Sequence, residues 1–239
     1  MCDNHGFSLS RRGLLVAGAA AAVSGGFSLP AFAQAPATPP NSISPDAALK
    51  RLMDGNARYV ANTPTQRDFS AGRAARATAQ FPFAAILGCA DSRVAPELAF
   101  DEGAGELFVV RVAGNFVNED GLASLEFGAK VLGAPLIMVL GHSSCGAVDA
   151  TINVLRDNVK LPGHLPELVK SIKPAVEKAK AEKPKPANLL DAAIAANVTY
   201  NVNRLKTAKP ILSRMVAEGK VKVVGAVYDL ATGKVNLVA

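Results

Sequence analysis

Three short apolar runs punctuate the chain: 83–88 (Phe-Ala-Ala-Ile-Leu-Gly), 107–112 (Leu-Phe-Val-Val-Arg-Val) and 136–141 (Leu-Ile-Met-Val-Leu-Gly). Each is continuous rather than alternating, which predicts strands covered on both faces. Between the second and third, residues 119–132 carry Leu122, Leu125, Glu126, Ala129 and Val131 at spacings that suit a crossover helix. A later run over 221–228 is followed by a turn at 229–233 and a short edge strand at 234–238. Strand, helix and strand in this order predict an α/β fold: a mainly parallel central β-sheet flanked by helices, with an antiparallel C-terminal edge strand.

Helical patterns surround this core. Ser44-Pro45-Asp46 combines a cap, a proline suited to a first turn and an early acid, and Leu49, Leu52, Met53, Ala57 and Tyr59 or Val60 supply an apolar stripe. This is the N-terminal helical arm. A second helix is expected over 69–79, ended by Gln80-Phe81-Pro82. The stretch 165–219 reads as mostly helical, and its lysine-rich part, 170–185, as a solvated face and loop. Pro184 and Pro186 break it before a helix over 188–205 that can cover the sheet.

The first residues read as an address rather than as part of the fold. Ser10-Arg11-Arg12-Gly13-Leu14-Leu15 opens an alanine-rich apolar stretch that runs to about Leu29, and Ala31-Phe32-Ala33 offers a cleavage point. The paired arginines resemble the bacterial twin-arginine signal, although Gly13 follows them and no lysine closes the motif. A membrane anchor is the alternative, disfavoured by the glycines, the serine and the nearby Ala-x-Ala. The expected division is an export signal at 1–33, a proline-rich linker at 34–43 and one domain at 44–239. The mature protein is expected to be periplasmic or otherwise exported, with the export machinery as its partner before maturation and no stable membrane insertion after it.

Composition narrows the function. The chain has 239 residues, a net charge of +6 and only 5% aromatic residues, with no basic-aromatic stripe or recognition helix, so nucleic acid is not an expected partner. Signal removal would take away Cys2 and His5, leaving Cys89 and Cys145 as the thiols and His142 and His164 as the imidazoles. Two thiols in an oxidising compartment are either bridged or held reduced by a metal.

Cys89-Ala90-Asp91-Ser92-Arg93 follows the first expected strand, and His142-Ser143-Ser144-Cys145-Gly146 follows the third. Both motifs therefore fall at carboxyl ends of parallel strands, where open α/β sheets form their ligand crevices. Cys89, His142 and Cys145 would fill three positions of tetrahedral zinc and leave the fourth for water or substrate. Cys145 starts an expected helix, whose N-terminus favours a thiolate. The alternatives are two ordinary buried cysteines with a loop histidine, a Cys89–Cys145 disulfide, and a local Asp91–Arg93 ion pair. His164 reads as a residue that caps a helix or faces water.

Taken together, Cys-x-Asp-x-Arg and His-x-x-Cys closely resemble the β-class carbonic anhydrases, and the likeness extends through residues 88–96, 107–115, 121–129 and 141–147. The resemblance implies Zn2+ held by Cys89, His142 and Cys145, and reversible hydration of carbon dioxide to bicarbonate and a proton by zinc-bound hydroxide. It implies that Arg93 holds Asp91 off the metal while Asp91 orients the nucleophile, and that Asp91 becomes a fourth ligand in a closed state. It implies that Gln80 donates its amide to substrate or bicarbonate, from a neighbouring subunit in some arrangements. Gly114 and Asn115 match a turn whose task is backbone geometry. A homodimer or dimer of dimers is implied as well. One branch of the family adds a bicarbonate site with a Trp-Arg-Tyr arrangement, and this chain has no tryptophan. Carbonyl sulfide or carbon disulfide hydrolysis on the same fold, and a noncatalytic zinc protein, are the alternative functions.

Overall fold

The computed structural model describes residues 41–239. Within them α1 (Pro45–Val60) and α2 (Arg73–Thr78) precede β1 (Ala84–Gly88). Next come α3 (Pro96–Ala99), β2 (Leu107–Arg111), α4 (Glu119–Glu126) with a π-helical turn at Phe127–Val131, and β3 (Leu136–His142). The remainder is α5 (Gly146–Asp157), α6 (Leu165–Ala181), α7 (Leu189–Thr207), α8 (Leu212–Ala217), β4 (Lys222–Tyr228) and β5 (Val235–Leu237). The expected export signal, its cleavage point and most of the linker lie outside the described residues. Among the described residues no helix is long and apolar enough to cross a membrane.

The arm forms where its sequence signals it. Ser44 accepts a hydrogen bond from the Ala47 N–H, Pro45 occupies the first turn, and α1 buries Ala48, Leu52, Gly55 and Asn56. Gly55 is required by contact, since a Cβ there would stand 1.8 Å from the Phe100 carbonyl oxygen. Buried Asn56 donates to the carbonyls of Ala99 and Gly233 and accepts from the Val235 N–H, so one amide ties α1 to α3 and β5. Ahead of the helix, buried Asn41 donates to the carbonyls of Pro82 and Leu132, and Ile43 packs on the core. These two residues of the expected linker therefore belong to the packed body.

The sheet runs β2-β1-β3-β4-β5, parallel except for the β4–β5 pair. The parallel sheet and the antiparallel edge are as the hydrophobic pattern predicts. Successive residues point to opposite faces: Ile86, Met138 and Ala226 meet α1 and α3, while Leu87, Val139, Val198 and Leu205 pack on the face covered by α4, α7 and α8. β2 departs from expectation. It is an edge strand and its residues are only partly buried, because one neighbour and part of one cover are missing. The crossover helix also changes character at Phe127, where Gly128 lies so close to Phe108 that a Cβ would come within 3.0 Å of its ring. Phe127 and Val131 are left exposed.

The connections fix where a site can form. From β1 the chain goes to β2 on one side, and β3 then pairs on the other side of β1. Connections that leave in opposite directions open a crevice at the carboxyl ends of those two strands.

Candidate metal centre

Both motifs stand at that crevice. Cys89 is the first residue after β1, and His142 is the last residue of β3, paired in register with Tyr228. Ser144 takes a left-handed φ of 54°, which turns the chain so that Cys145 becomes the N-cap of α5. The turn is anchored to the next strand: the Ser143 N–H donates to the Tyr228 carbonyl at 2.9 Å, and Ser143 Oγ accepts from the Leu230 N–H at 2.9 Å. Gly141 lets α7 close over β3, because a Cβ there would lie 2.7 Å from Val198.

The sulfurs of Cys89 and Cys145 and a ring nitrogen of His142 lie within 4.8 Å of one another, and all three residues are buried. Both cysteines are free thiols, so the disulfide alternative is not what this fold contains. His142 is wholly enclosed, its Nδ1 is 2.9 Å from the Ser143 carbonyl, and its Nε2 has no hydrogen-bond partner. The carbonyl can only accept, which assigns the proton to Nδ1 and leaves a bare lone pair on Nε2. A buried polar atom without a partner is costly, and a metal ion is what two thiols and a bare imidazole nitrogen would satisfy.

Electrostatics agree with a site built for positive charge. The hydrogen bond from Cys145 holds the Cys89 thiol well below the usual thiol range, with help from His142 and the Gly114 N–H. The same bond, together with burial, pushes Cys145 up. The two thiols thus share a proton, which a dication held between them would displace. Burial works against a charged His142, but the nearby Cys89 sulfur, the Ser143 carbonyl and the Asp91 carboxylate raise it overall.

Asp91 sits at the rim of the same crevice. Its Oδ1 accepts from the Arg93 backbone N–H and Nε, both at 2.9 Å, and its Oδ2 accepts from an Arg93 terminal nitrogen at 2.6 Å. This fork holds the carboxyl well below the usual carboxylate range. Oδ2 lies 3.7 Å from His142 Nε2, so the carboxylate borders the space where the three ligand atoms converge. Arg93 also reaches the Ser144 carbonyl at 3.4 Å and so spans the two loops.

Gly114 and Asn115 do serve backbone geometry. Their φ values of 86° and 40° aim the Gly114 N–H at Cys89 Sγ, 3.2 Å away, and a Cβ at Gly114 would strike Ile172 at 2.5 Å. Their turn is held from behind by Asn197, which donates to the Gly114 carbonyl at 2.8 Å, and by Asn201, which accepts from the Val117 N–H at 2.8 Å. Neither asparagine is evident as a site residue in sequence. The available signal is their spacing of one helical turn on the face that carries Ala193, Ile194 and Val198.

Gln80 stands apart from the cluster within one chain. It is exposed and lines a separate cavity of about 840 Å³ with Arg51, Arg76, Phe83 and Glu106. His164 occupies the N-cap position of α6, makes no side-chain capping bond and faces water. The lysine-rich surface of α6 is solvated, apart from ion pairs of Lys170 with Glu167 and Lys173 with Glu177.

Two thiols and a bare imidazole nitrogen that converge beside a carboxylate suit a catalytic rather than a structural type of metal centre. A carbonic anhydrase family profile matches residues 84–235. A carbonic anhydrase of Mycolicibacterium smegmatis is 40% identical over 202 residues, which are 83% of this chain and 95% of that protein. Carbonic anhydrase 2 of Mycobacterium tuberculosis is 38% identical over 199 residues, 83% of this chain and 94% of its own length. The solved Coccomyxa beta-carbonic anhydrase in complex with acetazolamide matches with a TM-score of 0.62 at 29% identity, over 70% of this chain and 77% of that one. The chain belongs to the β-class carbonic anhydrase family, and its activity is that of a zinc-dependent carbonate dehydratase.

Proposed function

We propose that Cys89, His142 and Cys145 hold one zinc ion per subunit, and that Asp91 and Arg93 govern its fourth position during the reversible conversion of carbon dioxide and water to bicarbonate and a proton. The observation that carries this reading is the unpartnered, enclosed His142 Nε2 beside two free thiols. Bound there, zinc supplies the Lewis acidity that makes water a nucleophile near neutral pH. Ser143 fixes the tautomer and orientation of the His142 ring through its carbonyl. Arg93 occupies both oxygens of Asp91 and keeps the carboxylate turned from direct ligation. Asp91 then accepts a hydrogen bond from the attacking water and directs its lone pair at the carbon of carbon dioxide. Gln80, exposed at the mouth of its own cavity, donates its amide to bicarbonate at the site of a neighbouring subunit in a homodimer or dimer of dimers.

Metal analysis beside a stopped-flow pH-change assay tests the reading. The parent is expected to carry one zinc and to hydrate carbon dioxide rapidly, and His142→Ala to lose metal and activity together. A zinc-loaded parent with no hydration from neutral to alkaline pH would refute it.

We also propose export through the twin-arginine route, on the strength of Arg11-Arg12, the apolar stretch and Ala31-Phe32-Ala33. Replacing both arginines by lysine is expected to leave unprocessed protein in the cytoplasm. Normal processing of that variant would count against the route.

A further inference from the structure

The loop that carries Cys89 and Asp91 is held by a side chain that has no place in the reaction as set out above. Arg111 ends β2, opposite Gly88 in the parallel register. Its Nε donates to the Cys89 carbonyl at 2.8 Å and a terminal nitrogen donates to the Asp91 carbonyl at 2.6 Å. One rigid guanidinium thus bridges the backbone of a metal ligand and the backbone of the carboxylate that borders the metal. Around it the same two segments are stitched by backbone: the Val112 N–H to the Gly88 carbonyl, the Ala90 N–H to the Val112 carbonyl, and the Gly114 N–H to Cys89 Sγ.

The Cys89 carbonyl shares a peptide plane with the Ala90 N–H, which Val112 holds, and the Asp91 carbonyl also accepts from the Val94 N–H; Arg111 is the side chain that joins the two carbonyls. Those two carbonyls belong to the peptide planes that follow Cys89 and Asp91, so a single donor spanning them sets how the Cys89 sulfur and the Asp91 carboxylate stand to one another. A neutral donor could tie one carbonyl. The planar fork of arginine ties both at a fixed separation.

We propose that Arg111 is a positioning residue for the hydration reaction, setting the angle between the Cys89 thiolate and the Asp91–Arg93 fork by clamping the carbonyls of Cys89 and Asp91. The proposal rests on the assignment of Cys89 as a metal ligand and Asp91 as orienter. It assigns Arg111 no contact with substrate. Removing the clamp leaves each plane with one backbone bond, from the Ala90 N–H and from the Val94 N–H, and nothing joining the two; a displacement of about 1 Å at a reacting group is enough to cost about a hundredfold in rate.

The test uses full-length protein loaded with zinc for kinetics and with cobalt(II) for visible spectra, in Arg111→Met and Arg111→Lys. Methionine keeps the stem and removes every donor; lysine restores the charge and reaches one carbonyl. The expected result for Arg111→Met is a fall in kcat of about 10–100-fold with KM within about threefold. Its kcat–pH profile is displaced and its cobalt spectrum altered, while the far-UV circular dichroism stays parental. Arg111→Lys is expected to fall between the two. A parental pH profile and cobalt spectrum in Arg111→Met, with or without a lower melting temperature, would overturn the proposal. Should the methionine variant fail to fold, the lysine variant decides alone, and a parental profile and spectrum there overturn it equally. The cobalt spectrum reads ligand geometry without turnover, so an inactive parent would count against the functional reading and leave the clamp to be judged on its own.

Discussion

Two aspartates of this protein are gripped by arginine, and they have different tasks. Asp101 is 3% exposed in its side chain, has a left-handed φ of 47°, and binds Arg58 and Arg67 at 2.6 Å each. Thr65 donates to it from both backbone and hydroxyl. Asp91 is 16% exposed and has one arginine, Arg93, which is itself 54% exposed. Both carboxyls are held well below the usual range: in Asp91 the Arg93 bond dominates, and in Asp101 the bonds to Arg58, Arg67 and Thr65 more than offset a burial that would raise it. A depressed carboxylate beside arginine is therefore not in itself a mark of catalysis. What separates the two is the remaining direction. Every neighbour of Asp101 is a donor that belongs to the framework, and it ties the segment after α1 to the loop after α3. Asp91 faces His142 Nε2, an atom with no partner.

The comparison breaks if either residue does the other's work. Asp101→Ala is expected to cost about 2–3 kcal/mol of stability, less than for a fully enclosed ion pair because Arg58 is 38% exposed. That corresponds to about 5–10 °C in melting temperature, with kcat of the folded protein within about twofold of the parent. Asp91→Ala is expected to reverse the pattern: kcat down by about 10²–10³-fold with the melting temperature nearly unchanged. Calorimetry and stopped-flow hydration on the same preparations decide the matter. Equal loss of activity in both variants would dissolve the distinction.

Acid titration supplies a smaller effect. A carboxylate whose folded pKa is depressed contributes stability that is fully present above its unfolded value, about 4, and is lost as pH falls through the folded value. The gap between parent and Asp101→Ala should therefore be full above about pH 4 and shrink below it. The corresponding gap for Asp91→Ala is expected to be smaller and to close further in about 0.5 M salt, since its partner stands in solvent. Urea melts from pH 6 down to pH 2 would measure both, and a gap for Asp101 that widens with acid would reverse the sign.

The same contrast explains what sequence could and could not supply. Cys89, Asp91, Arg93, His142 and Cys145 were legible because they are scarce residue types in two tight motifs placed just after apolar runs. The parallel sheet was legible for a related reason, since strands buried on both faces show as unbroken apolar runs. Arg111 was hidden inside such a run, where Val110 and Val112 make it look like one more strand residue; its meaning lies in the register opposite Gly88. Asn197 and Asn201 were hidden because a buried amide in a helix acquires a role only through the loop that folds against it. α3 and α8 are four and six residues long and left no periodic signal. The partly exposed β2 and the π-helical turn depend on which neighbours are present, which a local pattern does not encode. Gln80 was singled out by resemblance alone, and within one chain it lies apart from the cluster, at a separate cavity.

His142 closes β3, so its ring is in place only when β3 lies between β1 and β4. Those pairings join segments far apart along the chain, the kind of contact that forms late in folding. A metal held by Cys89, His142 and Cys145 would favour the assembled sheet, because the unfolded chain does not bring these residues together. A metal held by the folded form and not by the unfolded chain stabilises the fold by RT ln(1 + [M]/Kd). The melting temperature is therefore expected to rise with metal concentration, although the three ligand side chains are a small part of the fold.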